Sequence, residues 1–404
     1  MVNIAVLGYG TVGSGVVEVF NTNQESINKR AGQDINIKYV LDLRDFEGDP
    51  VQQKIVHDYN IILNDDDIQI VVEVMGGVEP AYTFVKSALE KGKSVCTSNK
   101  ELVARHGAEL LEIAKQNHIN FLFEASVGGG IPIIRPLNNS LTADEITDIK
   151  GILNGTTNYI LSKMSREGLD FETVLKDAQE KGYAERNPEA DVEGFDACRK
   201  IAILSSLAYG MQVDFEDILT EGITNITKAD IAYAKKLKSG IKLIGSSKKV
   251  GENIYAIVAP MMLPESHPLM GVNDVFNAIF VKGNVLGDVM FYGQGAGKLP
   301  TASAVVSDVV DAVKHLGTNI MSIWCTEKLE LADIKDSENR YFVRLSGAGQ
   351  EEAVKAVFGD VQFVHIEEVP DETAFLTPVM TEREYDEKIA GFDTVMNRIR
   401  AELN

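Results

Sequence analysis

The residues with the most chemistry lie at positions 182–200, GYAERNPEADVEGFDACRK. This tract sets Glu185, Asp191, Asp196 and Lys200 just before the uncharged run 201–211, IAILSSLAYGM. That run reads as a helix buried on nearly every side. Charge at the mouth of such a helix must lie in a cleft or in a satisfied ion-pair network, because burying it bare costs too much. Asp196 and Lys200 are four apart and share one helical face. The tract is therefore either a binding and acid–base cluster or an ion pair capping a core helix. In the first case a lysine can hand over a proton and carboxylates can meet a cation.

Three other segments carry candidate groups. Thr97-Ser98-Asn99-Lys100 follows a strand at its carboxyl end, where ligands bind in doubly wound sheets. A cation in a helix's first turn opposes the dipole, so Lys100 joins the candidates. Glu124 opens a second segment that continues through Val127, Gly128, Gly129, Gly130 and Ile131 to Pro132. One carboxylate with carbonyls turned inward suits a hard cation; a hinge between domains is the other reading. The third segment, residues 293–300, GQGAGKLP, opens a helix with Ala302, Val305, Val306, Val309, Val310 and Val313 on its apolar positions. Its free N–H groups could approach a cofactor, or it is an interdomain turn.

These groups need a scaffold. Val2–Leu7 is a short apolar run with the pattern of a buried parallel strand. Gly8-Tyr9-Gly10-Thr11-Val12-Gly13 follows at once, and Val16, Val19 and Phe20 then recur at helical spacing. Strand, G-x-G-x-x-G, helix is the order a dinucleotide needs. Gly8 makes the turn, Gly10 lets backbone approach a pyrophosphate, Gly13 lets helix and strand close up, and the helix N-terminus faces the phosphates. The second strand, Ile35–Leu41, ends at Asp42 with Arg44 close behind. An acid there favours NAD and an arginine favours NADP, so the choice stays open. Further strand–helix units follow: strand 68–74, a helix from Pro80 stopped by Gly92, then strand 94–96. From about Ile133 the pattern changes. Strand 148–153, a turn at Asn154-Gly155-Thr156-Thr157-Asn158 with a capping side chain, and alternating runs at 253–259 and 285–291 imply a mixed sheet with helices on one face.

At 404 residues the chain exceeds one compact core, so two or three domains are expected. A net charge of −21 argues against nucleic acid and against an anionic membrane as partners. No apolar run is long enough for a membrane span, and the N-terminus reads as a strand rather than a signal peptide. Cys96, Cys198 and Cys325 lie far apart, which fits a reducing cytoplasm and disfavours zinc.

Six segments in order, GYGTVG, TSNK, EASVGGGIP, GILNGTTNYIL, the 182–200 tract and GQGAGKLPTAS, resemble homoserine dehydrogenase over roughly residues 1–325. The resemblance implies oxidation of L-homoserine to L-aspartate 4-semialdehyde with NAD(P), and the reverse in threonine, methionine and isoleucine biosynthesis. It implies an α/β protein with three parts. Residues 1–132 form a Rossmann-type doubly wound parallel sheet to which the chain returns at about 298–325. Residues 133–297 form an α+β substrate and dimerisation domain, and residues 340–404 a small ACT-like, ferredoxin-like region. By motif, Lys200 looks like the acid/base and Lys100 like a second catalytic or orienting cation. Glu185 and Asp196, with Asp191, look like substrate ligands. Glu124, Val127, Gly129 and Ile131 look like a sodium site. Gly8, Gly10, Thr11, Val12, Gly13, Asp42, Arg44, Ser98, Lys100, Gly182 and Gly295 would meet the cofactor. The family is usually dimeric or tetrameric. A dinucleotide sensor would need an output surface such as a basic helix, and this acidic chain shows none. A dehydrogenase of a different amino-acid or hydroxy-acid substrate is the alternative within the enzyme class.

In the tail the pattern reads strand 341–345, helix 350–358, strand 362–367, strand 373–378 and a helix, with little room for a last strand. Ser346-Gly347-Ala348-Gly349-Gln350 stands where an acidic ligand loop is usual. A degenerate module, with feedback control by threonine in doubt, is the expectation.

Overall fold

The computed structural model describes residues 1–403. Six strands form the first sheet: β1 (Val2–Leu7), β2 (Ile35–Leu41), β3 (Ile55–Val56), β4 (Ile68–Glu73), β5 (Ser94–Thr97) and β6 (Phe121–Leu122). Their order is β3-β2-β1-β4-β5-β6 and every pair is parallel. This is the doubly wound Rossmann order, whose binding crevice opens where β1 and β4 part at their carboxyl ends. Along β1, Ile4 and Val6 face one helical layer and Ala5 and Leu7 the other. A strand covered on both faces must be apolar throughout, which is why VNIAVL shows no alternation.

Helix Thr11–Ala31 leaves β1 through the glycine turn and stops at Gly32, whose left-handed backbone donates to Asn28 O. Helix Lys298–Lys314 returns to cover the same face, with Ala302, Val305 and Val309 in one core with Val16 and Phe20. Gly15 sets that contact: a Cβ there would stand 2.8 Å from Lys298 O.

The second sheet is mixed. It comprises β7 (Ile146–Ile152), β8 (Leu219–Thr220), β9 (Ser239–Val250), β10 (Asn253–Pro264), β11 (Phe276–Gly283), β12 (Gly287–Gln294), β13 (Glu338–Ser346), β14 (Gln362–Val364), β15 (Glu372–Leu376), β16 (Met380–Thr381) and β17 (Val395–Ala401). The main path runs β12-β11-β7-β9-β10-β17-β13-β15-β14. Helices Gly155–Glu167 and Phe195–Tyr209 both pack on β7 or its neighbour β9. The run 285–291 splits: Val285 and Leu286 make the turn, and β12 starts at Gly287.

The C-terminal region corrects one expectation. Its last strand is present as β17, so residues 338–401 form a full β-α-β-β-α-β unit in the ferredoxin-like order β17-β13-β15-β14. The sequence VMNRIRA hides this strand because its polar side chains are consumed inside the fold. Arg398 and Arg400 both pair with Glu221 and Glu382, and Asn397 donates to Asp230.

Candidate active site

A cleft of about 590 Å³ lies between the two sheets. Val12, Ser98, Lys100, the 125–129 loop, Gly155, Gly182, Glu185, Asp191, Asp196, Lys200 and Gly295 all border it. Helix Phe195–Tyr209 buries everything from Asp196 to Leu207 except Arg199, so its first turn is the cleft floor. Helix Lys100–Gln116 brings Lys100 from the opposite wall, with Asn99 capping it by accepting from Leu102 N.

The charges converge on Asp196. Its Oδ1 meets Lys100 Nζ at 2.7 Å, and its Oδ2 meets Lys200 Nζ at 2.8 Å. Lys200 also donates to Leu153 O at 2.7 Å. Asn154 caps helix Gly155–Glu167 with its oxygen and uses its amide nitrogen to bridge Asp191 Oδ1 (2.8 Å) and Asp196 Oδ2 (2.9 Å). Burial acts to raise the Asp196 carboxyl, but Lys200 and Lys100 overcome it and hold the group well below the usual carboxylate range. The charge of Asp196 in turn lifts Lys100 above its ordinary value. Burial first, then Asp196, pushes Asp191 upwards. Glu185 is exposed at the rim and forms no ion pair among the described residues. Asp196 and Lys200 touch because one helical turn sets them on the same face.

The dinucleotide turn has the required shape. Gly8 sits at φ 99°, a Cβ on Gly13 would come within 1.9 Å of Gly8 O, and a Cβ on Gly10 would meet nothing within 4 Å. Helix Thr11–Ala31 has no side-chain cap, so its first N–H groups are free for a phosphate. Asp42 and Arg44 form a bidentate pair at 2.9 and 3.0 Å, and Tyr9 N donates to the same carboxylate. Arg44 thus holds Asp42 well below the usual carboxylate range and leaves little of it for a ribose.

The Glu124 carboxylate is engaged within its own loop. Its Oε1 accepts from Ile133 N (2.6 Å) and Ile134 N (2.8 Å), and its Oε2 from Arg135 N (2.9 Å). Three consecutive amides at the start of the next turn have taken the charge. Glu124 N donates to Asp308 Oδ2 at 2.8 Å, and Arg135 pairs with Asp308 Oδ1. Burial pushes Asp308 up to about 7 against the pull of Arg135. The carbonyls of Val127, Gly129 and Ile131 accept no backbone hydrogen bond, so main-chain oxygen is what remains for an ion there.

Sequence reasoning missed several lining groups. Thr156 borders the cleft and donates to Tyr183 O at 2.6 Å. Asn277, Gln294 and Thr301 also line it. The available signal was Asn277 among the apolar residues that open the strand FNAIFVKG.

The model of the homoserine dehydrogenase NAD-binding domain matches residues 8–124, and that of the homoserine dehydrogenase domain matches 132–310. This chain belongs to the homoserine dehydrogenase family. The Bacillus subtilis homoserine dehydrogenase is 45% identical over 319 residues, which are 78% of this chain and 73% of that protein. The crystal structure of a homoserine dehydrogenase from Thiobacillus denitrificans covers 100% of this chain and 98% of its own, at TM-score 0.91 and 35% identity. A hyperthermophilic archaeal homoserine dehydrogenase in complex with NADPH covers 77% and 97%, at TM-score 0.65 and 29% identity. As a homoserine dehydrogenase the chain is an NAD(P)-dependent oxidoreductase acting on a CH–OH group in amino-acid biosynthesis. Among the described residues, no helix is long and apolar enough to cross a membrane.

Proposed function

We propose that Lys200 exchanges the proton of the substrate's reacting oxygen and that Lys100 supplies a second positive charge beside it. L-homoserine loses its hydroxyl proton as L-aspartate 4-semialdehyde forms and regains it in reverse, so one lysine serves both directions, its neutral amine taking the proton in oxidation and its ammonium returning it in reduction. The nicotinamide supplies the hydride chemistry when bound. Asp196 orients the two lysines instead of meeting the substrate alone. Glu185, whose carboxylate has no partner among the described residues, and Asp191 take the substrate's α-ammonium. The first N–H groups of helix Thr11–Ala31, beyond Gly8 and Gly10, hold the pyrophosphate, while Val12, Gly13, Ser98, Gly182 and Gly295 border the rest of the cofactor. Because Arg44 neutralises Asp42, the extra phosphate of NADP is accepted and preferred over NAD. A sodium ion, where bound, rests on the carbonyl oxygens of Glu124, Val127, Gly129 and Ile131. Exposed Val285 and Leu286 in the β11–β12 turn, with Met290 and Tyr292 on the edge strand β12, support assembly of two or four copies. Three free cysteines support a cytoplasmic setting.

The observation that carries this reading is the pair of ammoniums on Asp196, at 2.7 and 2.8 Å. Lys200→Ala should cut turnover by roughly 10²–10⁴-fold, the usual range for losing a general acid–base, while fluorescence titration still shows NADPH binding. Near-normal turnover would return the lysine to a structural role. The parent assay should run faster with NADPH than NADH and in sodium than in potassium salts, and light scattering should exceed one chain's mass. The reverse results remove the corresponding part of the reading.

A further inference from the structure

Asn277 is 2% exposed, and its side chain makes no hydrogen bond among the described residues. Its Oδ1 is a buried acceptor without a donor. Such a group is destabilising and rare, and in a cleft it marks a partner that arrives from outside. Its surroundings are otherwise saturated. Asn154 makes contacts with both ends of its amide, and Thr156 reaches Tyr183 O. Asn158 donates to Val272 O and Phe276 O, and the buried Lys242 donates to Asn158 Oδ1 at 3.0 Å. The backbone leading into Asn277 is therefore clamped, and its carboxamide is held without being used.

The carboxamide lies where the two sheets' contributions meet. A Cβ on Gly295 would come within 2.0 Å of Asn277 Nδ2, and one on Gly155 within 3.6 Å of Oδ1. Gly295 in turn abuts Gly129, where a Cβ would stand 2.3 Å from Gly295 O. The same loop opens helix Lys298–Lys314, which packs on the dinucleotide helix through Gly15. Asn277 thus stands between the nucleotide-binding unit and the wall that carries Lys200, where the reactive end of a dinucleotide has to arrive.

We propose that Asn277 hydrogen-bonds the carboxamide of the nicotinamide ring and so fixes which way the ring faces the substrate. The charge pattern selects this partner. Homoserine is a zwitterion, and Lys100, Lys200, Glu185, Asp191 and Asp196 already present charge to it. The ring carboxamide is neutral, with one acceptor and two N–H donors. A primary amide matches it group for group, with Oδ1 accepting from the ring's N–H and Nδ2 donating to its oxygen. The inference rests on the cleft being the cofactor site.

The test compares two ligands on the purified full chain. One is whichever of NADPH and NADH the parent binds more tightly. The other is the matching fragment without the ring, ADP-ribose or its 2′-phosphate. Asn277→Ala should weaken the whole cofactor roughly ten-fold, the worth of one or two hydrogen bonds, and leave the fragment unchanged. Asn277→Asp, which keeps the volume, should show the same selective loss, so the contact stays testable where the alanine variant misfolds. Equal affinity of variant and parent for the whole cofactor would overturn the contact, as would an equal loss for both ligands or a loss confined to homoserine binding. A parent that binds neither ligand would overturn the cofactor reading of the cleft together with this contact.

Discussion

A single carboxylate, Asp196, holds two lysines, and its buried charge is tolerable only because both are present. Asp196→Asn keeps the shape and removes the charge, which leaves two ammoniums side by side in a half-closed cleft. We expect turnover to fall by orders of magnitude and stability to fall by roughly 3 kcal/mol. The pH dependence has a fixed sign. The folded Asp196 carboxyl lies below its unfolded value of about 3.9, so its stabilisation is complete above about pH 4 and is lost as pH falls further. Urea denaturation between pH 3 and 7 should show a shallower acid loss in the variant; identical slopes would remove this role from Asp196. The i,i+4 pair could be read from spacing alone. Lys100 could be read only as a candidate, because 96 positions separate it from Asp196 and no local pattern joins them. The partners of Glu124 were not legible for a physical reason: a carboxylate before glycines looks the same in sequence whether it meets a cation or the amides of its own next turn.

Elements were most legible where period and glycine spacing agree. The strand, glycine turn and first helix follow from VNIAVLGYGTVG, since a strand covered on both faces and a turn that excludes Cβ leave few alternatives. The last strand, for which the tail leaves little room in sequence, forms because Arg398 and Arg400 find Glu221 and Glu382 beside them. The 124–135 loop shows how distant elements build the site. Its first amide hangs on Asp308 of helix Lys298–Lys314, and its Arg135 pairs with the same carboxylate. Asp308→Ala would strand the buried Glu124 amide and leave half-buried Arg135 only the more distant Asp311 and Glu124 carboxylates, at 3.6 and 3.8 Å. We expect a loss of roughly 2–3 kcal/mol in denaturant unfolding, with the KM for cofactor rising more than kcat falls. Asp308→Asn keeps an acceptor for Glu124 N and should recover part of the KM. Equal damage from both variants, or none from either, would show that the anchor does not position the loop.

At the scale of the whole molecule, the C-terminal unit has the topology of a separate module but not its independence. One face of its sheet forms a private core: Tyr341, Val343 and Leu345 pack with Val354, Phe358 and Tyr385. The other face joins the main core through Phe342, Ala374, Leu376 and Ile399. β17 also pairs with β10, which carries the catalytic sheet into the module. Buried Arg344 crosses the same boundary, meeting Asp230 of the main body at 2.8 Å and Glu372 of the module at 2.6 Å. The module therefore completes the core of the main body. One cooperative transition should result. Trp324, the single tryptophan, packs edge-on against Phe123 in the main body, so its fluorescence reports that body, while far-UV circular dichroism reports both parts. The two signals should coincide in urea. Arg344→Ala leaves Asp230 and Glu372 unpaired and should move both curves together by about 3–5 kcal/mol. An earlier dichroism step with Trp324 unmoved would mean that the module unfolds on its own and that the shared sheet is only an apposition.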